Sequence, residues 1–378
     1  MVFDDIPLID GHAHPIFWPA TTSGPQGAPA IPFVRAFTEG HEARTIEHDA
    51  RHTLLYRQVV RELAALLGCE ANEETVLAAR AAVPFQTYLR RLLESAHLEA
   101  VVLDDGYPRS GVLSVAELAR QGGVRTGRAL RLESLIEGLI PAHETLPALE
   151  TAMIEALEAA RPGLVALKSI IAYRGGLAIT PPSPDPAARG SAARALADVR
   201  ASWGGTPGRL AAKPLLDYLL PRAATWAAAH RLPLQLHTGF GDRDLDLRLA
   251  NPLHLRPLLE DGTLTRGPLV LLHAAYPYCR EAAYLASVYP NVYVDVSLAT
   301  PLLAGPVLTR VLEELLALAP VTKVLYGSDA WGIPEWFWCA AWAMRRALGA
   351  ALAWLPAAEG TWAARRILRE NALDLYPL

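Results

Sequence analysis

The chain has 378 residues, 52% of them apolar and 20% charged, with a formal net charge of -4 at pH 7. Such a composition can bury a large core, argues against disorder and lacks the basic footprint of a nucleic-acid-binding surface. Cys69, Cys279 and Cys339 are odd in number and far apart, which excludes a disulfide framework or zinc knuckle and suits a reducing cytoplasm.

The opening MVFDDIPL has no basic region and no apolar stretch of signal-peptide length. The first apolar run, residues 7–10, leads into His12 and His14. Residues two apart on a strand share a face, so these imidazoles project together from a strand end, where they could hold a metal ion. The next β-like run comes only at residues 100–103. The stretch between them reads as helices over 43–67 and 73–95, the second capped by Asn72 with Glu73 and Glu74 in an acidic first turn. Residues 35–98 are therefore a helical insertion after strand one, either a lid or an oligomerising element.

Further β-like runs lie at 129–133, 164–168, 232–236, 268–272, 292–296 and 323–326. Most are nearly continuous apolar runs, as parallel strands buried on both faces require. Helix-like stretches such as 214–230, 280–289 and 306–318 alternate with them. Residues 180–207, rich in Pro, Ala and Gly, read as a long loop after strand four. Residues 336–355 are the most membrane-like, but Arg345 and Arg346 interrupt them, so a buried helix is expected. The alternation predicts an α/β fold: one (β/α)8 TIM-like barrel over residues 1–378 with the insertion after its first strand. A doubly wound sheet is the alternative, although no GxGxxG follows the first strand.

Lys168 ends the fourth run, His237 and His273 follow the fifth and sixth, and Asp329 follows the eighth. In a barrel all of them, with His12 and His14, meet at the C-terminal face. Each has a plainer reading taken alone. A histidine there can be a hydrogen-bonded core residue, Asp329 a helix cap, and Lys168 an exposed lysine. As a set, the imidazoles and carboxylate suit Zn2+ or a similar divalent ion. Glu133 ends the third run, Tyr173 and Arg174 follow Lys168, and Asp242 sits in TGFGD. Arg174 offers a planar fork to a substrate carboxylate or a salt bridge at the barrel mouth. Glu133 offers a carboxylate to a substrate amine, or pairs with Arg131 or Lys168. Asp242 fits the fixing of a loop or of a ligand histidine.

This order of residues resembles the amidohydrolase superfamily. The segments LKSIIAYRGGL, LQLHTGFGDRDLDL, LLHAAYPYCREAAYLASVYPNVYVDVS and VLYGSDAWGIPE resemble its amidohydrolase-2 branch. Within that branch they are similar to the amidohydrolase half of fungal proteins fused to a glutamine-synthetase-like domain, and to hydrolases of γ-glutamyl amides. No glutamine-synthetase-like domain is expected after the last helix. The resemblance implies His12, His14, His237 and Asp329 as ligands of a divalent metal, zinc above all, with one ion favoured over two. His273 then either ligates a second ion or hydrogen-bonds the substrate carbonyl. Lys168 bridges two ions if carboxylated and is otherwise a positive group beside the substrate. Asp329 acts as general base and then acid in hydrolysis of a C–N bond, with Tyr173, Arg174 and Glu133 near the substrate. A related branch implies decarboxylation as the alternative. A non-catalytic binding barrel would be expected to have lost ligands, and this sequence has lost none. The expected partner is a small-molecule substrate, not nucleic acid or membrane, and a homo-oligomer is compatible with the sequence.

Overall fold

The computed structural model describes residues 3–19, 32–107, 110–182 and 186–378. Eight parallel strands follow one another around a barrel: β1 (Leu8–Ala13), β2 (Leu98–Asp104), β3 (Arg125–Arg131), β4 (Leu164–Ser169), β5 (Leu234–Leu236), β6 (Leu269–Leu271), β7 (Val292–Asp295) and β8 (Val324–Leu325). Each pairs in parallel with the next. Between β8 and β1 the ring is closed by backbone bonds that run past the strand ends, among them Gly11 N–H to Tyr326 O at 2.9 Å, Asp329 N–H to His12 O at 2.8 Å and His14 N–H to Ala330 O at 2.7 Å. The fold is thus the expected (β/α)8 barrel, not a doubly wound sheet.

Strand alternation sorts the core into two clusters. In β2, Val101 and Leu103 join the large cluster shared with the helices. Ala100 and Val102 join a smaller one with Ile9, Ala129, Ala166, Val270 and Leu325, together with Ala372, Leu375 and Tyr376 from the end of the chain. Small residues on that face leave room for the C-terminal turn to pack there.

Three expectations about helices are corrected. Residues 43–67 are not one helix but Ala43–Glu47, a 3-10 turn at Asp49–His52 and a helix at Leu54–Leu67. Thr53 restarts the chain: its backbone is extended and its hydroxyl accepts from Tyr56 N–H at 3.1 Å. Residues 73–95 divide into Glu73–Ala81 and Phe85–Ser95, because Pro84 has no N–H to continue the ladder and disfavours helix at the residue before it. Asn72 does cap the first of these, accepting from Thr75 N–H at 2.9 Å. The stretch 180–207 is not mainly a loop: Pro186–Trp203 is a helix packed on Lys213–Ala229. Its proline stands at the first helical position, where the missing N–H costs nothing, and its alanines outweigh Gly190 in propensity. Residues 183–185 lie outside the described residues.

The membrane-like segment forms the largely buried helix Glu335–Ala351. Among the described residues, no helix is long and apolar enough to cross a membrane. Glu335, fully buried at its start, receives Tyr88 OH at 3.0 Å and pairs with Arg80. Both partners come from the insertion, so one carboxylate anchors that segment beside the loop after β8.

Candidate active site

His12 is the fifth residue of β1 and is fully buried. Gln235 of β5 donates its amide N–H to Gly11 O at 2.7 Å and to Tyr376 OH at 2.9 Å. Its Oε1 therefore faces His12 Nδ1, 2.9 Å away, and that nitrogen carries the proton. The bare Nε2 points at Asp329 Oδ1, 3.1 Å away, and at Lys168 Nζ, 3.0 Å away. His14 is fixed the same way, with Nδ1 donating to the Asp104 carbonyl at 3.2 Å and bare Nε2 3.4 Å from Asp329 Oδ1.

Two imidazole lone pairs thus converge on a carboxylate oxygen that is buried and has no hydrogen-bond donor. Such an arrangement is repulsive unless a cation sits within it. The nitrogen and oxygen atoms of His12, His14 and Asp329 lie within 4.8 Å of one another, and this donor set fits a divalent transition metal. Despite its burial, the Asp329 carboxyl is held well below the usual range, so a carboxylate faces these nitrogens. Burial and the Lys168 ammonium push the His12 imidazole down to about 4, leaving its Nε2 unprotonated near neutrality, where it can accept from Lys168 Nζ.

His237 and His273 form a second pair beside the first. His237 Nε2 donates to Phe240 O at 3.1 Å, so its Nδ1 is bare. The Ser297 hydroxyl donates to Asp295 and accepts from His273 Nδ1 at 3.0 Å, which leaves His273 Nε2 bare as well. These two bare nitrogens are 2.9 Å apart, and burial drives both imidazoles well below their ordinary value. This pair, too, calls for a positive charge between its members. Backbone strain gathers here: His273, Ala274, Ala275, Leu298 and Asp329 all have positive φ, as functional sites often do. Gly239 lets the β5 and β6 loops meet, since a Cβ there would stand 2.3 Å from the Ala275 carbonyl carbon.

Lys168 is buried on β4. Burial lowers its pKa to about 8, although Asp104 and Asp329 oppose the shift. The buried Asp104–Arg131 pair stands behind His14, with Arg131 Nη2 donating to Asp104 Oδ2 at 2.6 Å.

Above these groups opens a cavity of about 710 Å³. Tyr173, Arg174 and Asp242 line it, as does Lys168. Tyr173 OH accepts from Asp242 N–H at 3.1 Å, and its ring lies 4.4 Å from that of His237. Arg174 reaches Glu137 at 3.5 Å, while its buried Nε has no partner. Tyr107 and Trp331 stack in parallel on another wall, their centroids 6.5 Å apart. The segment after the 3-10 turn Phe33–Phe37 adds Thr38, Glu39 and His41, so part of the insertion walls the cavity.

Glu133 does not take the position expected of a substrate-binding residue. It sits one residue into the helix Leu132–Leu139, beyond the end of β3, and is absent from the cavity lining. Its carboxylate accepts from Ser169 Oγ at 2.6 Å and pairs with neither Arg131 nor Lys168. Sequence reasoning missed Gln235, the Asp104–Arg131 pair, Ser297 with Asp295, and Glu39. Gln235 had a signal, since it lies two residues before His237 in a strand.

An amidohydrolase family model matches residues 155–378. Over 372 residues the chain is 32% identical to protein fluG of Emericella nidulans, an alignment covering 90% of this chain and 42% of fluG. The chain therefore spans less than half the length of that relative. A proposed metal-dependent hydrolase of Lactobacillus casei has a similar structure, with TM-score 0.84 and 30% identity over 98% of this chain and 95% of that one. The uronate isomerase of Thermotoga maritima, at 15% identity and TM-score 0.68 over 99% and 95% of the two chains, shares the fold alone. With more than half its length matched by the family model, and with paired histidines and an aspartate gathered at the strand ends, this chain belongs to the amidohydrolase family.

Proposed function

We propose that the protein is a metal-dependent hydrolase that cleaves the C–N bond of a small amide bearing a free carboxylate, with γ-glutamyl amides the favoured class. The observation that carries this reading is the orphaned Asp329 Oδ1 facing two bare imidazole nitrogens at one end of a cavity that Arg174 also lines. The similarity to fluG and to the Lactobacillus casei protein supports it. His12, His14 and Asp329 would hold the ion, with His237 close by, and zinc suits these donors. A divalent ion bound there would supply water made nucleophilic at neutral pH and would polarise a carbonyl.

The chain's own groups do the rest. Asp329 takes the proton of the attacking water and passes it to the departing nitrogen. His273 spends its Nδ1 proton on Ser297, so while neutral its Nε2 accepts and does not donate to the carbonyl. Lys168 keeps a positive group beside His12. The decisive assay supplies metal-loaded protein with a panel of carboxylate-bearing amides and follows amine and carbon dioxide together. Amine release is expected; carbon dioxide without amine overturns the reading in favour of decarboxylation.

We expect one ion per chain, retained in Lys168→Ala. Two ions in the wild type, with one or both lost in that variant, would instead establish a carboxylated Lys168 as a bridge. Elemental analysis of both proteins decides it.

Arg174→Ala should lower kcat/KM on the carboxylate-bearing amide by on the order of tenfold to a few hundredfold, since charge-assisted bonds contribute roughly 1.5–3 kcal/mol. Arg174→Lys should recover only part, because an ammonium cannot grip two oxygens. Metal content should not change. An equal penalty on an amide without the carboxylate would show Arg174 to be a support of the barrel mouth.

A further inference from the structure

The sequence offers Glu133 for a substrate amine, yet Glu133 is tied to Ser169 away from the cavity lining. Another carboxylate comes to the cavity in its place. Glu39 lies just past the turn Phe33–Phe37 and shares the cavity with Arg174 and Asp329.

The groups around Glu39 are engaged elsewhere. His41 Nε2 is 2.8 Å from Asp242 Oδ1, Glu42 pairs with Arg243, and Arg35 donates to Thr38 O at 2.6 Å. The His41 and Glu42 contacts pin the segment to the loop after β5. Glu39 itself makes no hydrogen bond among the described residues. Burial, with the carboxylates of Asp242 and Asp329, raises its pKa to about 8, and Arg35 compensates only in part. A carboxyl so placed is costly unless something cationic meets it. Arg174 pairs with Glu137 at 3.5 Å, but its buried Nε has no partner. One cavity thus holds a carboxyl group without a hydrogen bond and a guanidinium with one N–H unmet. A substrate carrying only a carboxylate would satisfy Arg174 and leave Glu39 facing further negative charge.

We propose that Glu39 is a specificity residue that binds the ammonium group of a zwitterionic, amino-acid-like substrate whose carboxylate is taken by Arg174. The ammonium would donate to both the carboxylate of Glu39 and the cavity's remaining acceptors, and its charge would keep Glu39 ionised. This rests on the hydrolase reading for the reaction, but the charge pattern it assigns to the ligand can be tested without turnover.

Two p-nitroanilides, L-γ-glutamyl and glutaryl, differ only in the α-ammonium. The metal-loaded wild type should prefer the γ-glutamyl compound by about ten- to a hundredfold in kcat/KM. In Glu39→Gln the ratio should collapse toward one, and Glu39→Asp should keep part of it. Calorimetric titration with L-glutamate and glutarate makes the same comparison by binding alone, with the same expected ratios. Discrimination in binding without hydrolysis of either anilide would sink the amide-hydrolase reading and leave the role of Glu39 standing. Equal handling of the paired ligands by the wild type, a ratio untouched by Glu39→Gln, or binding of neither L-glutamate nor glutarate overturns the proposal.

Discussion

Replacing His14 with alanine will remove the metal and the activity together while leaving the barrel folded. Its Nε2 is one of two nitrogens aimed at Asp329 Oδ1, and its Nδ1 bonds only a backbone carbonyl at the end of β2. Changing a residue behind a metal ligand typically costs ~10–100-fold in affinity or activity, so losing a ligand outright should cost more. His12→Ala should be at least as severe in activity, with an added penalty in stability. It strands the Gln235 carbonyl oxygen in a buried site, and a buried acceptor left without its partner costs about 1–3 kcal/mol. Elemental analysis, circular dichroism and turnover on one preparation separate these effects. A His12→Ala, His14→Ala double variant with full metal and full turnover would falsify the site.

Asp329→Asn is expected to lower kcat by ~10²–10⁴-fold through loss of general base and acid action. The substitution also reverses the hydrogen-bond logic of the centre. An amide N–H can donate to the bare nitrogens of His12 and His14 and quench the repulsion that a cation otherwise relieves. Metal affinity should therefore fall too, and the assay must be run at saturating metal to isolate the proton-transfer defect. Near-normal turnover of the metal-loaded variant removes Asp329 from the mechanism.

The strands and the histidines at their ends were legible because parallel buried strands leave long apolar runs, and the active end of a barrel lies just past each of them. His12, His14 and Asp329 were found by position in that pattern, and the structure brings them together. The splits at Thr53 and Pro84 were readable from local chemistry, yet the apolar period on either side masked them. The helix Pro186–Trp203 was hidden by its prolines and glycine, which carry loop signals even where one begins a helix. Glu133 was misplaced because a strand end and the first turn of the next helix differ by two residues, and that difference turns the side chain from the cavity to Ser169. Glu39 gave no signal at all. It reaches the cavity through contacts of the insertion with residues some two hundred positions away, such as His41 with Asp242 and Glu42 with Arg243.

The proposed ligands of the ion come from the two ends of the ring. His12 and His14 belong to the first strand and its exit, Asp329 to the loop after the last, and the two segments are joined by backbone bonds such as Gly11 to Tyr326, Asp329 to His12 and His14 to Ala330. Asp10 and Ser328, 318 positions apart, add a buried side-chain bond across the same junction. A metal held there would be a clasp on a loop that includes most of the chain, and would stabilise the folded state by mass action. At a free concentration a thousandfold above its Kd, that contribution is about 4.1 kcal/mol. Chelation should therefore lower the melting temperature even without substrate, and His14→Ala should no longer respond to the chelator. An unchanged melting point in the chelated wild type would mean that the backbone and Asp10 close the ring unaided.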